Sequence, residues 1–241
     1  MESKDNAQAQ YVPALRFKWA TGWYDGLMRL CMREQAIRQL SVEAVAPKPG
    51  EAILDFGCGT GSLTLALARA EAAATVVGCD IDPYVLDSAQ RKSQNSGISG
   101  KPTFLQADVT NASTALSEFQ QTFDCITSSL VFHHLDTRKK RDALNEALKL
   151  LAPKGRFVLI DWGPGVNLYF RSAFWLVRLL DGVSVTQDNA RGNLPDLLFE
   201  AGFMRVISNP LLNTSFGTIW LYEAHVCDQN LTKKNHVSRT L

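Results

Sequence analysis

Apolar residues recur at helical spacing at Leu27, Leu30, Cys31, Ile37 and Leu40, which predicts an amphipathic helix over roughly 23–46. Pro47, Pro49 and Gly50 stop it. Residues 1 to about 18 are polar and read as a mobile arm. From residue 52 the pattern changes to short apolar runs separated by stretches of helical period. Ala52-Ile-Leu-Asp-Phe56 reads as a strand, Ser62–Ala70 as a helix and Thr75–Asp80 as a strand. Asp82 can N-cap the next helix, with Pro83 at its first position and Gly97 past its end. Further strands are predicted at Thr103–Ala107, Phe123–Ser129 and Arg156–Asp161. A short helix from Ala112 lies between the first two of these. A helix capped by Asp136 follows the second, with Leu144, Ala147, Leu148 and Leu151 on one face. Five strands alternating with four helices imply βαβ units, a parallel sheet and right-handed crossovers.

After Gly163 the rhythm breaks. Leu168–Leu180 is apolar on nearly every side, interrupted by Arg171, Ser172 and Arg178. A second helix is predicted from about Asn193 to Ala201, then strands at Phe203–Ser208 and Ser215–His225. Val226–Leu241 is polar and expected to fray. The 241 residues therefore read as a single domain. It divides into an arm and helix (1–46), a core (50–162), an inserted helical segment (163–192), a helix and strand pair (193–225) and a tail (226–241).

Charge narrows the partners. With 25 basic and 24 acidic residues the net charge is +1, and nothing calls for a nucleic acid or polyanion. Met1–Gln10 lacks the apolar region of a secretory signal. Tyr169–Leu180 is too short to span a bilayer and carries Arg171 and Arg178. The expected location is cytoplasmic, without integral membrane contact, and the sequons at Asn111, Asn213 and Asn230 then carry no meaning. Cys31, Cys58, Cys79, Cys125 and Cys227 are odd in number and form no CxxC pair, which argues against zinc or a disulfide framework. Cys79 and Cys125 read as core thiols.

The candidate chemistry sits at the first strand-to-helix turn, Asp55-Phe56-Gly57-Cys58-Gly59-Thr60-Gly61-Ser62. Three glycines let the backbone turn tightly and approach a ligand, and the helix start offers free N–H groups. The spacing is GxGxG, with Ser62 where a dinucleotide fingerprint has its third glycine. Asp80 ends the next strand, where a carboxylate can take a ribose diol.

Ile53-Leu-Asp-Phe-Gly-Cys-Gly-Thr-Gly61 resembles motif I of the class I S-adenosylmethionine-dependent methyltransferases. Val77-Gly-Cys-Asp-Ile-Asp-Pro83, Gln106-Ala-Asp-Val109 and Phe123-Asp-Cys-Ile-Thr-Ser-Ser-Leu-Val-Phe-His-His-Leu135 resemble the segments that follow it in order. Ala152-Pro-Lys-Gly155-Arg156 nearly meets the family's Ala-Pro-Lys-Gly-Gly. The likeness covers about 50–162 and is similar to the branch that includes ubiquinone and menaquinone C-methyltransferases and many small-molecule methyltransferases. It implies a Rossmann-like α/β fold, a seven-stranded sheet in the order 3-2-1-4-5-7-6 with the last strand antiparallel, and helices on both faces. The cofactor it implies is S-adenosylmethionine. Gly57, Gly59 and Gly61 would cradle the methionine and ribose part, and Asp55 would order that loop near the amino group. Asp80 would take the ribose hydroxyls and Ile81 would pack on adenine. Asp108, with Val109 beside it, would accept from the adenine amino group, and Ser128 or Ser129 would meet the methionine end.

Each role has a plainer counterpart. Asp80 can serve only to cap the next helix and Asp108 only a turn. His133 and His134 are candidate bases or simply order the loop after the fourth strand. Asp161, at the end of the fifth strand, is a candidate base or substrate-orienting acid. Arg138–Arg141 reads as a solvated helix face. Segment 163–192 is expected to cap the methyl-transfer cleft. Trp23, Tyr24, Phe170, Phe174 and Trp175 would flank an acceptor pocket for a small hydrophobic or aromatic molecule, or else serve as core or dimer contacts. The sulfonium is an activated donor, so no metal is called for. The expected activity is O- or C-methylation. An NAD-dependent oxidoreductase is the rival enzyme class, disfavoured by Ser62 and the Asp108 turn. A cofactor-binding regulatory or scaffold domain is the non-enzymatic rival, a nucleic-acid or protein methyltransferase is less favoured, and a homodimer is left open.

Overall fold

The computed structural model describes residues 33–226. Seven strands form one sheet: β1 (Ala52–Phe56), β2 (Thr75–Asp80), β3 (Thr103–Gln106), β4 (Phe123–Ser129), β5 (Leu151–Gly163), β6 (Met204–Thr214) and β7 (Gly217–His225). Their order is β3-β2-β1-β4-β5-β7-β6, as the resemblance implied. The first five strands pair in parallel, and β7 runs antiparallel between β5 and β6. The order reverses between β1 and β4, which is the switch point where open α/β sheets bind ligands.

Adjacent residues on each central strand enter opposite faces of the sheet, because the strand period is two. Leu54, Val77, Ile126 and Phe157 pack on one side with Leu144, Leu197 and Leu198. Ile53, Val76, Cys125 and Val158 pack on the other with Ile37, Leu63, Leu67 and Phe174. The helices that supply this cover are α1 (Glu34–Val45), α2 (Ser62–Ala70), α3 (Pro83–Gln94), α4 (Ala112–Ala115), α5 (Thr137–Leu150), α6 (Leu168–Asp181), α7 (Gln187–Arg191) and α8 (Leu194–Ala201). The predicted caps of α3 and α5 form: Asp82 accepts from Tyr84 N–H and Asp136 from Lys139 N–H.

Besides shifts of one or two residues at strand ends, three boundaries differ from the sequence expectation. The helix expected over 23–46 is described only as Glu34–Val45, since its first half lies outside the described residues, as do the arm and Trp23 and Tyr24. Leu151 leaves the helical face assigned to it and opens β5, opposite Phe123. The sixth strand runs on to Thr214 through Pro210, which an edge strand tolerates because one side needs no N–H donor. Among the described residues no helix is long and apolar enough to cross a membrane.

Candidate active site

The β1–α2 turn crosses the C-terminal edge of the sheet at the switch point. Gly57 and Cys58 N–H both donate to Cys79 O, at 2.9 and 2.8 Å, which ties the turn to the end of β2. Gly61 has φ +73, and a Cβ there would sit 2.8 Å from Ala89 and 2.9 Å from Phe104, so the packed base of the turn requires glycine. Gly59 differs: φ is +51, but a Cβ would meet nothing within 4 Å, so this residue faces open space. Asp80 braces the turn, its Oδ2 accepting from Gly59 N–H at 2.8 Å and its Oδ1 from Asp82 N–H at 3.0 Å. Asp55 is buried beneath and accepts from Thr64 Oγ1 at 2.6 Å. Burial is the main cause that raises its pKa to about 7, with the Asp80 charge adding to it against the Thr64 hydrogen bonds.

A second polar cluster lies at the ends of β4 and β5. Asp161 is fully buried on β5. Its Oδ1 accepts from His133 Nδ1 at 2.8 Å, Trp162 N–H at 2.7 Å and Asn189 Nδ2 at 3.3 Å. Its Oδ2 accepts from Phe132 N–H at 2.8 Å and His133 N–H at 3.3 Å. Burial alone would raise this carboxyl. The His133 charge, its hydrogen bond and the Trp162 N–H outweigh that and hold it below its ordinary value. The ionised carboxylate fixes the His133 proton on Nδ1 and leaves Nε2 pointing away, 3.7 Å from Asp181 Oδ2. For His133, desolvation is opposed by Asp161 and Asp181, and the net shift is upward. The His134 ring lies 3.9 Å from that of His133, centroid to centroid. Desolvation and the neighbouring His133 push its pKa down to about 3, although the residue as a whole is exposed.

The two clusters share a wall. Val131, just after β4, packs so closely on Gly57 that a Cβ there would lie 2.6 Å from its methyl group. Residues 53–155 match the family described as a methyltransferase domain. The stretch is a class I S-adenosylmethionine-dependent methyltransferase domain. Over 127 residues the chain is 35% identical to the demethylmenaquinone methyltransferase of Thermus thermophilus, covering 53% of this chain and 54% of that one. The chain thus spans about half the length of that relative. It is 29% identical over 189 residues to a ubiquinone/menaquinone biosynthesis C-methyltransferase of Pseudomonas aeruginosa, covering 70% and 71%. In fold it is similar to the magnesium protoporphyrin IX methyltransferase of Synechocystis with bound SAH, at TM-score 0.62 and 21% identity over 86% of this chain and 89% of that one.

The cofactor of a class I methyltransferase domain is S-adenosylmethionine. The turn fits it. Gly59 leaves its face open, and the Asp80 carboxylate, with Asp55 beneath it able to ionise against a cation, suits a sulfonium and an ammonium and opposes a pyrophosphate.

The methyltransferase domain gathers only some of the residues expected at its site. Gly57, Gly59, Gly61, Asp55 and Asp80 converge on the turn, and Ile81 stands exposed beside them. Asp108 spends Oδ1 on Thr110 N–H and Oγ1, both at 2.8 Å, in a turn after β3. Val109 packs into the core with Val77 and Ala112. Ser128 is buried and its hydroxyl donates to Phe56 O, whereas Ser129 ends β4 half-buried. Phe174 lies in the core with its ring 5.3 Å from Trp162, whereas Trp175 is half-exposed with the Arg178 guanidinium 4.5 Å over its ring. Phe170 is half-buried beside Tyr169. Sequence reasoning missed Asp181 and Asn189. Asp181 did leave a signal: it is an acid closing an apolar helix, where the helix dipole disfavours negative charge. Asn189 left none.

Proposed function

We propose that this domain methylates a small, apolar, hydroxylated aromatic acceptor of the hydroquinone or phenol class, on ring carbon or oxygen. One observation carries the reading. The acid-edged glycine turn and the His133–Asp161 couple stand on neighbouring strand ends, joined by Val131, and the last residue of the apolar helix α6, Asp181, lies 3.7 Å from His133. The names of the Thermus and Pseudomonas relatives support a quinone-type acceptor and transfer to carbon.

Bound S-adenosylmethionine supplies a methyl group already activated on a sulfonium. The chain's own tasks are to align the acceptor, exclude water and favour the acceptor's oxyanion. Gly57, Gly59, Gly61, Asp80 and Ile81 hold the cofactor side. His133 and His134, with Asp161 fixing the first, form the polar end that receives the acceptor's hydroxyl. Segment 163–192 caps the cleft, and the exposed side of α6 meets the apolar body of the acceptor. The methyltransferase acts in the cytoplasm on a small molecule.

The test is methyl transfer from labelled S-adenosylmethionine to a demethylated hydroquinone and to simple phenols, with product mass read by spectrometry. The expected product gains one methyl, and His133→Ala lowers turnover by about 100-fold or more. Tight cofactor binding with no product from any aromatic acceptor would instead support a regulatory cofactor-binding domain.

A further inference from the structure

We infer that His133, His134 and Asp181 form a site for one divalent transition-metal ion of the zinc class. One ligand atom from each residue lies within 4.8 Å of those of the other two. His133 Nε2 and Asp181 Oδ2 are 3.7 Å apart, close to the edge of about 3.3 Å in a tetrahedron with bonds of about 2.0–2.1 Å. His134 is exposed, and Asp181, the last residue of α6, is partly exposed, so neither is locked inside the packed core.

Two further features point the same way. Metal-binding imidazoles are held by a carboxylate on their second nitrogen, and His133 gives Nδ1 to Asp161 at 2.8 Å. Four other donors fix that carboxylate, so Nε2 has one direction to face. Asp181 places a negative charge at a helix C-terminus, against the dipole, and a cation there would offset the conflict. The nearby Lys140 is engaged with Asp188 at 3.4 Å and with Val185 O at 2.6 Å.

Three protein ligands are the pattern of a site that keeps a fourth position open. That position would hold water or the acceptor's hydroxyl oxygen, whose ionised form the cation stabilises. This last role rests on the proposed methyl transfer; cation binding does not. It departs from the sequence expectation of no metal, which rested on cysteine spacing and on the activated donor.

The experiment titrates the full chain, freed of metal by EDTA, with cobalt(II) under visible absorbance and with zinc(II) by calorimetry. The expected result is one ion per chain and a tetrahedral cobalt band. The band should be lost in His134→Ala and in Asp181→Asn, both partly exposed positions whose folding circular dichroism checks. In Asp161→Asn affinity should fall about 10–100-fold. Absence of both band and heat, or binding unchanged in both ligand variants, overturns the site. A chain that binds cobalt at these residues yet methylates nothing keeps the site and removes the methyl-transfer reading. A chain that methylates and binds no cobalt does the reverse.

Discussion

Asp55 and Asp80 sit on one turn and respond to their surroundings in different ways. Asp80 is partly exposed and uses its oxygens to hold Gly59 and Asp82 N–H, so its carboxylate organises the turn and retains acceptor capacity for a ligand. Replacing it by alanine removes charge-assisted hydrogen bonds worth about 1.5–3 kcal/mol each before water compensates. Calorimetry should show S-adenosylmethionine affinity falling at least about tenfold in Asp80→Ala; an unchanged value would remove the ribose role. Asp55 is buried, with its pKa raised to about 7, so near neutrality the free protein holds it partly protonated. A cationic cofactor favours the ionised form, and binding should release about half a proton at pH 7. Calorimetric titrations in buffers of different ionisation enthalpy should show this release, and Asp55→Asn should abolish it.

In the proposed function the element that meets the acceptor is α6. Phe174 and Val177 lie three residues apart and pack down on Trp162 and Ile219, which fixes one face of the helix to the sheet. Leu168, Tyr169, Trp175, Leu176, Leu179 and Leu180 remain exposed. Phe174 is 3% exposed and Trp175 is 50% exposed, so neighbouring aromatics have unlike roles. Phe174→Ala should cost about 3–5 kcal/mol in chemical denaturation through a core cavity. Trp175→Ala should change stability by less than about 1 kcal/mol. It should raise the acceptor's KM while cofactor affinity stays constant. Equal stability losses in the two variants would place both rings in the core.

Across the whole molecule, one ion pair ties the end of α1 to β5 and to the start of β1, across the intervening β4. Arg156 on β5 is paired with Glu51, which precedes β1, and also donates to Val45 O at 2.8 Å at the end of α1. Burial would raise Glu51, but the hydrogen bond and charge of Arg156 outweigh it and leave its pKa below the ordinary value. Such a carboxylate adds stability above its unfolded pKa, and that stability is lost as pH falls through the lower folded value. Arg156→Ala strips the buried Glu51 of its guanidinium partner, leaving it the Lys48 N–H, and should cost about 3 kcal/mol at pH 7. Urea denaturation should show the gap between wild type and variant narrowing as pH falls below the ordinary carboxylate range and through the lowered folded value of Glu51, beneath which it is neutral in both. A gap independent of pH would mean that Arg156 acts through packing alone.

What the sequence by itself determined is local. The strands β1 to β4, the glycine turn, and the Asp82 and Asp136 caps follow from hydrophobic period, backbone conformation and hydrogen bonds spanning a few residues. The strand order was legible only through the likeness of four ordered motifs to a family. Tertiary structure decided the rest. Strand β5 lengthens to Leu151–Gly163 because Phe123 and Thr218 lie opposite its two ends. Phe174 rather than Trp175 enters the core because the rotation of α6 over Trp162 selects it. Ser128 turns its hydroxyl onto Phe56 O inside the sheet. Asp161 meets His133, Asn189 and, through His133, Asp181, residues that come from four separate segments. Periodicity specifies which side of an element is apolar. Which polar groups meet at its end depends on register and crossover, and those are set by the packing of the whole sheet.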